Sequence, residues 1–262
     1  MRYALISDVH ANLPALEAVL ADITARPDVA ATYHLGDLVG YSPWPNEVIS
    51  AMREARIPGV AGNYDSTVAA DYKHCGCRAD TPRDEELAHE SFEWTRANIS
   101  PASKSWLGGL PFRMDLKPLG GHVAGPTVTL VHATPTNNLV YVTEDRPDAF
   151  LSKMAEQAGL KSGDAICFGH TNKPWHRVVN GVTFVNTGSV GRPKDGDARA
   201  GYVLLDTGSD QARVEIVRVA YDVEKAASGV IEAGLPHEFA DFLRAGGRPE
   251  TRDSPAPPQH SA

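Results

Sequence analysis

The 262-residue chain is poor in cysteine, has no long hydrophobic run and carries no excess of positive charge. Its three cysteines, Cys75, Cys77 and Cys167, are too few for a disulfide framework, which favours a reducing compartment. No apolar run approaches the ~20 residues that a membrane span needs, and the N-terminal run Tyr3–Ile6 is too short for a signal peptide. We therefore expect a cytoplasmic protein that does not contact a membrane.

The net charge of −8 and the pI of about 5.7 describe an acidic protein. Because the chain has no block of Lys and Arg, we expect no general nucleic-acid binding. Bound divalent cations would reverse the charge locally, so a small phosphorylated substrate is compatible with this composition. The sequence does not indicate an oligomeric state.

The chain does contain short apolar runs that alternate with amphipathic segments. Strands are predicted at 3–6, 30–35 and 57–61, and the helices between them begin after Asn12 and at Pro45. This order of elements is typical of a parallel α/β layer.

Residues 64–112 interrupt the alternation, and we interpret them as an insert beside the functional site with a helix over 85–98. We expect one domain over 1–246 and a disordered tail at 247–262, where Gly, Pro, Ser and charged residues dominate. Further strands are predicted at 113–116, 127–131 and 165–168, a second and more antiparallel layer at 182–185, 202–206 and 214–219, and helices at 147–159, 222–233 and 237–245.

The chain contains five short polar fragments, and nearly all of them directly follow a β-like run. The fragments are Asp8-Val9-His10, Gly36-Asp37, Gly62-Asn63, His132 and Gly169-His170-Thr171-Asn172. Residues at strand ends can converge on one point although they lie far apart in the sequence. Carboxylate, amide and imidazole donors together suit divalent cations. The pattern therefore predicts a site for two metal ions.

The order of these fragments resembles the calcineurin-like metallophosphoesterase family over roughly residues 1–220. The stretches Gly36–Tyr41 and Asn186–Pro193 also look like a bacterial branch of that family. The resemblance implies an α/β fold, a four-layer α-β-β-α sandwich of two mixed β-sheets flanked by helices. It also implies a hydrolase in which a metal-bridging hydroxide cleaves a phosphodiester or phosphomonoester.

The resemblance further implies which residues hold the two cations. One metal would be bound by Asp8, His10, Asp37 and Asn172, and the second would share Asp37 and add Asn63, His132 and His170. Manganese is the preferred expectation, and Fe, Zn, Ni, Mg or Co are the alternatives.

Two positions depart from the family pattern. Tyr64 stands where the motif Gly-Asn-His-Asp has His, and Asp65 follows it. We predict catalytic roles for both, Tyr64 as a hydrogen-bond donor that gives up its proton less readily than His. That predicts a preference for good leaving groups. Asn172 replaces a further His, so we expect the metal at Asp8 and His10 to bind more weakly than its neighbour and to favour Mn or Mg.

Several alternatives stay open on the sequence alone. Arg192 is a candidate for binding the substrate's phosphate, but an ordinary salt bridge fits it equally well. Tyr64 fits a packed aromatic as well as a catalytic donor. Cys75 and Cys77 could belong to a zinc site, form a redox pair or lie in a loop that contacts substrate; we favour the loop.

The substrate is also open. A small nucleotide-like diester is our first expectation, with monoesters and nucleotide pyrophosphates as alternatives. A protein of another class is the main rival, namely a catalytically silent member of this fold that serves as a binding or scaffold subunit.

Overall fold

The computed structural model describes residues 1–79, 81–117, 125–209 and 211–247. Of the predicted disordered tail, all residues after Gly247 lie outside the described ones. The elements, in chain order, are β1 (Arg2–Ile6), α1 (Leu13–Thr24), β2 (Val29–His34), α2 (Pro45–Glu54), α3 (Asn63–Ala69), α4 (Pro82–Asn98), α5 (Pro101–Gly108), β3 (Arg113–Leu116), β4 (Val128–Val131), α6 (Asp148–Ala158), β5 (Ala165–Phe168), β6 (Trp175–Val179), β7 (Val182–Asn186), β8 (Ala200–Asp206), β9 (Arg213–Val219), α7 (Val223–Glu232) and α8 (His237–Ala245).

The strands form two mixed sheets. The first has the order β2-β1-β8-β9, in which β1 pairs with β2 in parallel and with β8 antiparallel. The second has the order β3-β4-β5-β7-β6, with a parallel centre and antiparallel edges. The predicted α/β fold with two mixed sheets and flanking helices is confirmed.

Three groups of buried apolar side chains show how the layers pack. Leu5 of β1 clusters with Leu130 of β4 and Cys167 of β5, so the two sheets meet face to face. Ala4 and Ile6, which point to the opposite side of β1, pack with residues of α1, α2, α7 and α8. The outer face of the second sheet packs against α6.

The predicted third strand at 57–61 is wrong. This segment runs beside β2 but makes only one bridge, between His34 and Gly59. Pro58 has no N–H group to donate to a ladder, and the N–H of Ala61 instead donates to the carbonyl of Pro111 at 2.8 Å. The segment nevertheless places Gly62 and Asn63 at the edge of the sheet.

The predicted grouping of the later strands is also wrong. β8 and β9 belong to the first sheet, beside β1, whereas β7 lies in the second sheet beside β5. The apolar pattern identified these strands, but it carries no information on which distant strand each one pairs with. We also missed β6, which pairs with β7 across the turn at Asn180 and Gly181. Both turn residues have positive φ, and an Asn-Gly pair between apolar residues is a hairpin signal.

The insert consists of α3, α4 and α5. Helix α4 begins earlier than predicted, at Pro82, because the Thr81 side chain caps it by accepting from the N–H of Asp84. The indole N–H of Trp94 donates to the carbonyl of Ala233 at 3.0 Å, which ties α4 to the C-terminal end of α7. The insert and the C-terminal helices therefore lie side by side above the strand ends. Among the described helices, none has the length and apolar character needed to cross a bilayer.

Candidate metal centre

The strand ends bring the predicted ligands into two overlapping clusters. Ligand atoms of Asp8, His10 and Asp37 lie within 4.8 Å of one another, and so do those of Asp37, His132 and His170. All five side chains are buried. Asp37 belongs to both clusters, the position that a bridging carboxylate requires.

The backbone at these residues is held in an unusual conformation. Asp8, His10, Asp37, His170 and Asn172 all have φ between 48° and 66°. Residues other than Gly adopt this left-handed region at a cost, and such conformations are concentrated at functional sites. The surrounding structure therefore fixes the direction of each side chain.

Two glycines allow the turns to approach one another. A Cβ on Gly62 would lie 2.1 Å from the Oδ1 atom of Asp37, and one on Gly169 would lie 2.2 Å from the Oδ2 atom of Asp8. Both distances are far inside van der Waals contact. Gly therefore precedes Asn63 and His170 because a carboxylate packs directly against the backbone there.

Hydrogen bonds orient the side chains of His10 and Asp8 in the first cluster. The Nδ1–H group of His10 donates to the carbonyl of Val39 at 3.3 Å, which directs Nε2 toward Asp8. The Oδ2 atom of Asp8 accepts from the hydroxyl of Ser7 and from the backbone N–H of His170, while Oδ1 is buried and has no hydrogen-bond partner among the described residues. A His oriented by a backbone carbonyl is typical of metal ligation.

The backbone of the turn that carries His170 orients the amide of Asn172. Its Nδ2 atom donates to the carbonyl of His170 at 3.1 Å. Its Oδ1 atom is buried, and no described residue hydrogen-bonds to it. Buried polar atoms are nearly always paired, so this unpaired oxygen is a candidate cation ligand.

The second cluster is arranged around His132. Its Nδ1–H group donates to the carbonyl of Leu35 at 2.7 Å, and its Nε2 atom lies 3.0 Å from Asn63 Oδ1, 3.1 Å from His170 Nδ1 and 3.4 Å from Asp37 Oδ2. The Nδ2 atom of Asn63 donates to the carbonyl of Cys75 at 3.1 Å. Each polar group thus directs one atom to the same point.

The electrostatics of the buried site favour added positive charge. Burial opposes ionisation of Asp37, but the imidazoles of His132 and His10 outweigh it and lower the pKa of Asp37 below its usual range. Burial lowers the pKa of His132, yet the carboxylates of Asp37 and Asp8 reverse that effect and raise it to about 9. Burial raises the pKa of Asp8 to about 7. In the metal-free site the protonated imidazole of His132 thus compensates the negative charge of the carboxylates. Bound cations would supply that positive charge instead of the proton.

The residues present fit two divalent cations. Two buried oxygen atoms, Asp8 Oδ1 and Asn172 Oδ1, lack hydrogen-bond partners within the described chain. Mixed carboxylate, imidazole and amide donors suit Mn, Fe, Zn, Ni or Co.

The two predicted catalytic residues lie beside the clusters. The Asp65 carboxylate accepts from the backbone N–H groups of Leu38 and Gly62, so it connects the two turns that carry Asp37 and Asn63. Burial raises its pKa to about 7. The Tyr64 side chain is fully buried, and its hydroxyl shares a 2.8 Å hydrogen bond with Ser91 Oγ. These contacts favour packing and positioning roles, and proton donation by Tyr64 stays a prediction.

A cavity of about 870 Å³ opens over the clusters. The predicted substrate residue Arg192 lines it, with its guanidinium 3.8 Å from the centre of the Tyr41 ring. Tyr141 lines the cavity from the loop at 133–146, which we expected at the entrance, whereas sequence reasoning missed Lys194 and Phe242. Lys194 follows Arg192 in the same loop, a proximity that could have indicated it, whereas Phe242 reaches the cavity from α8 and no local pattern pointed to it.

Cys75 and Cys77 form a disulfide. This pairing corresponds to the redox-pair alternative that the sequence left open, since two cysteines separated by one Gly can pair without a larger framework. Cys77 also lines the cavity, and contact between this loop and a substrate stays a prediction. The cytoplasmic location stays a prediction, and the scarcity of cysteine no longer supports it.

Two mixed sheets with a buried donor cluster at their strand ends define a metallophosphoesterase-type α/β protein. Residues 1–210 match the family model of the calcineurin-like phosphoesterase superfamily domain. The chain belongs to this superfamily, as the motifs predicted. The domain boundary at 246 stays a prediction.

Individual proteins are similar to this chain over nearly its whole length. The chain is 29% identical to the uncharacterized protein MJ0912 of Methanocaldococcus jannaschii, covering 93% of this chain and 97% of that protein. A metallophosphoesterase structure from Sphaerobacter thermophilus is 29% identical with a TM-score of 0.72, covering 94% and 99% of the two chains. The hypothetical protein PH1004 of Pyrococcus horikoshii shares the fold at 22% identity and a TM-score of 0.79, with the same coverage.

Proposed function

We propose that the protein is a metal-dependent phosphoesterase that hydrolyses a small, nucleotide-like phosphodiester or phosphomonoester. The observation that carries this proposal is the pair of buried clusters that share Asp37 at the bottom of an open cavity. Membership of the phosphoesterase superfamily supports it.

The ligands divide between two cations. We assign Asp8, His10 and Asn172 to the first, Asn63, His132 and His170 to the second, and Asp37 to both. Two divalent cations bound there, with manganese as the first choice, would activate water and neutralise the charge on the reacting phosphate.

The surrounding residues hold this arrangement and receive the substrate. The backbone carbonyls of Val39 and Leu35 fix the ring orientations of His10 and His132. Arg192, held against Tyr41, presents a guanidinium to the cavity and is suited to bind a phosphate oxygen. Lys194 lies in the same wall, and burial together with the charge of Arg192 lowers its pKa to about 7.

The cavity supports a small substrate. Its volume of about 870 Å³ lies in the range of small-molecule sites. Tyr41, Tyr141 and Phe242 line it and offer aromatic surfaces against which a base or an aryl group can pack. A folded phosphoprotein would present its phosphate less easily to a site at this depth.

We further propose that the enzyme prefers good leaving groups. The Tyr64 hydroxyl is bonded to Ser91, and Tyr64 is not among the residues that line the described cavity. Without a His at this position the leaving oxygen lacks a strong proton donor. Aryl esters and phosphoanhydrides would be hydrolysed fastest, because their leaving groups depart without being protonated.

The test is hydrolysis by metal-stripped protein to which Mn²⁺, Mg²⁺, Ni²⁺ or Zn²⁺ is returned. The substrates are bis-nitrophenyl phosphate, nitrophenyl phosphate and glycerol phosphate, which separate diester from monoester and aryl from alkyl leaving groups. We expect metal-dependent turnover of the nitrophenyl esters and much slower cleavage of glycerol phosphate. Equal rates for the aryl and alkyl monoesters would contradict the leaving-group proposal.

A matched pair of variants controls this experiment. Asp37→Asn removes the shared carboxylate, whereas Asp28→Asn changes an exposed carboxylate that pairs with Arg2 away from the site. We expect turnover to be lost only in Asp37→Asn. Metal binding without turnover of any substrate would instead support the binding or scaffold alternative.

A further inference from the structure

The disulfide between Cys75 and Cys77 lies against the metal centre. Cys75 is buried, and Cys77 lines the cavity. Gly76, between them, has a φ of 71°, a conformation suited to the tight turn that this pairing needs. The reaction proposed above uses neither sulfur.

The loop holds the side chain of Asn63. The Asn63 Nδ2 atom donates to the Cys75 carbonyl at 3.1 Å and lies 3.6 Å from the Cys77 sulfur. Its Oδ1 atom therefore faces His132, at 3.0 Å from Nε2. The carbonyl of Cys75 thus determines which end of the amide faces the second cluster.

The same loop also supports His170 from the other side. Gly76 packs against Leu139, since an added Cβ would lie 2.9 Å from that side chain. The Arg78 backbone hydrogen-bonds the hydroxyl of Tyr141, whose ring packs on His170 at 4.2 Å between centroids. Asn63 and His170 are both ligands that we assign to the second cation.

Global stability does not account for this disulfide. A disulfide stabilises a fold mainly by restricting the unfolded chain, and the effect grows with the length of the closed loop. A single residue, Gly76, separates Cys75 from Cys77. The contacts with Asn63 suggest instead that its effect is local to the metal centre.

We propose that Cys75 and Cys77 form a redox switch that controls the affinity of the second metal site. The oxidised pair holds the loop so that Asn63 presents its oxygen to the cation. A dithiol reductant transfers two electrons and two protons to the pair, which yields two cysteine thiols and leaves the reductant as a disulfide. The released loop no longer fixes Asn63, and the second cation binds more weakly. This inference rests on the dinuclear centre proposed above.

The experiment titrates full-length protein with Mn²⁺ and measures the concentration of free Mn²⁺ by electron paramagnetic resonance. The samples are the oxidised protein, the protein reduced with dithiothreitol and desalted without oxygen, and a Cys75→Ser/Cys77→Ser variant that cannot pair and adds no thiolate ligand. Cys167→Ser is the control, since Cys167 is buried and unpaired. Alkylation followed by mass analysis reports the redox state of each sample.

We expect the Kd of the site at Asn63, His132 and His170, the tighter of the two, to rise about tenfold in the reduced protein and the double variant, the usual effect of losing a group that orients a ligand. The Kd of the weaker site at Asp8 and His10 should not change, and the control should keep both values. Equal or tighter second-site binding after reduction would overturn the switch and leave the hydrolase proposal intact, as would free thiols at both positions in the air-purified protein. Oxidised protein that binds no second Mn²⁺ would overturn both proposals.

Discussion

The substitution Tyr64→Phe separates a catalytic role for this residue from a structural one. The Tyr64 hydroxyl and Ser91 Oγ share a fully buried hydrogen bond of 2.8 Å, and Ser91 also accepts from the backbone N–H of Tyr41. Removing the hydroxyl loses that bond and leaves the Ser91 hydroxyl with one partner fewer. Such a loss lowers the free energy of unfolding by about 1–2 kcal/mol. The ring contacts with Tyr41 and Phe92 are retained.

For a chain of this size, 1 kcal/mol corresponds to about 2–4 °C in melting temperature. We therefore expect Tyr64→Phe to melt about 2–8 °C lower than the wild type. Because Tyr64 does not line the described cavity, kcat of the variant for a nitrophenyl ester should stay within about twofold of the wild-type value. Loss of a true proton donor would lower kcat by about 10²–10⁴-fold. Calorimetry and steady-state kinetics on the same preparation measure both quantities.

Ser91→Ala completes a double-mutant cycle. The two single substitutions remove the same hydrogen bond, so their effects on stability should not add, with a coupling of about 1 kcal/mol. A fall in kcat of tenfold or more without a change in melting temperature would refute the positioning role. It would instead establish Tyr64 as the proton donor that the motif suggested.

Three further predictions follow from the site. Asn172→His replaces a buried amide oxygen with an imidazole, so the first-site Kd for Mn²⁺ should fall about tenfold; an unchanged Kd would argue against ligation at this position. Arg192→Gln removes the cavity guanidinium and should raise KM about tenfold with little effect on kcat, while a KM equal to that of the wild type would assign Arg192 to structure. Metal binding should release protons at pH 7, because the metal-free His132 has a pKa of about 9 and must lose its proton to act as a ligand. Affinity should therefore increase as the pH rises toward 9, and calorimetry in two buffers of different ionisation enthalpy measures the release; a buffer-independent enthalpy would contradict it.

The sequence was informative wherever local order decides the structure. The N-cap at Asn12 and the left-handed Gly159 after α6 appear where the pattern predicted them, because the capping contacts lie within a few residues. The ordered motifs also named the five side chains that form the two clusters and Asn63, which adjoins His132. Each motif is a turn directly after an apolar segment. The apolar pattern therefore predicted that the motif lies at the edge of a sheet.

The errors concern contacts between distant segments. Nothing local shows that β8 pairs with β1, and Pro58 reduced a predicted strand to one bridge. The sequence likewise gave no sign that Ser91 of α4 binds the Tyr64 hydroxyl or that Phe242 of α8 lines the cavity. These side chains act through tertiary packing, which a motif does not encode.

The most direct test of the account measures turnover while Mn²⁺ is added in half-equivalents to metal-stripped, oxidised protein. If the two clusters act together through Asp37, hydrolysis of bis-nitrophenyl phosphate should stay low through the first equivalent, rise during the second and then level off. Asp37→Asn should remain inactive throughout. Full activity at one equivalent, or full activity in Asp37→Asn, would contradict the dinuclear mechanism.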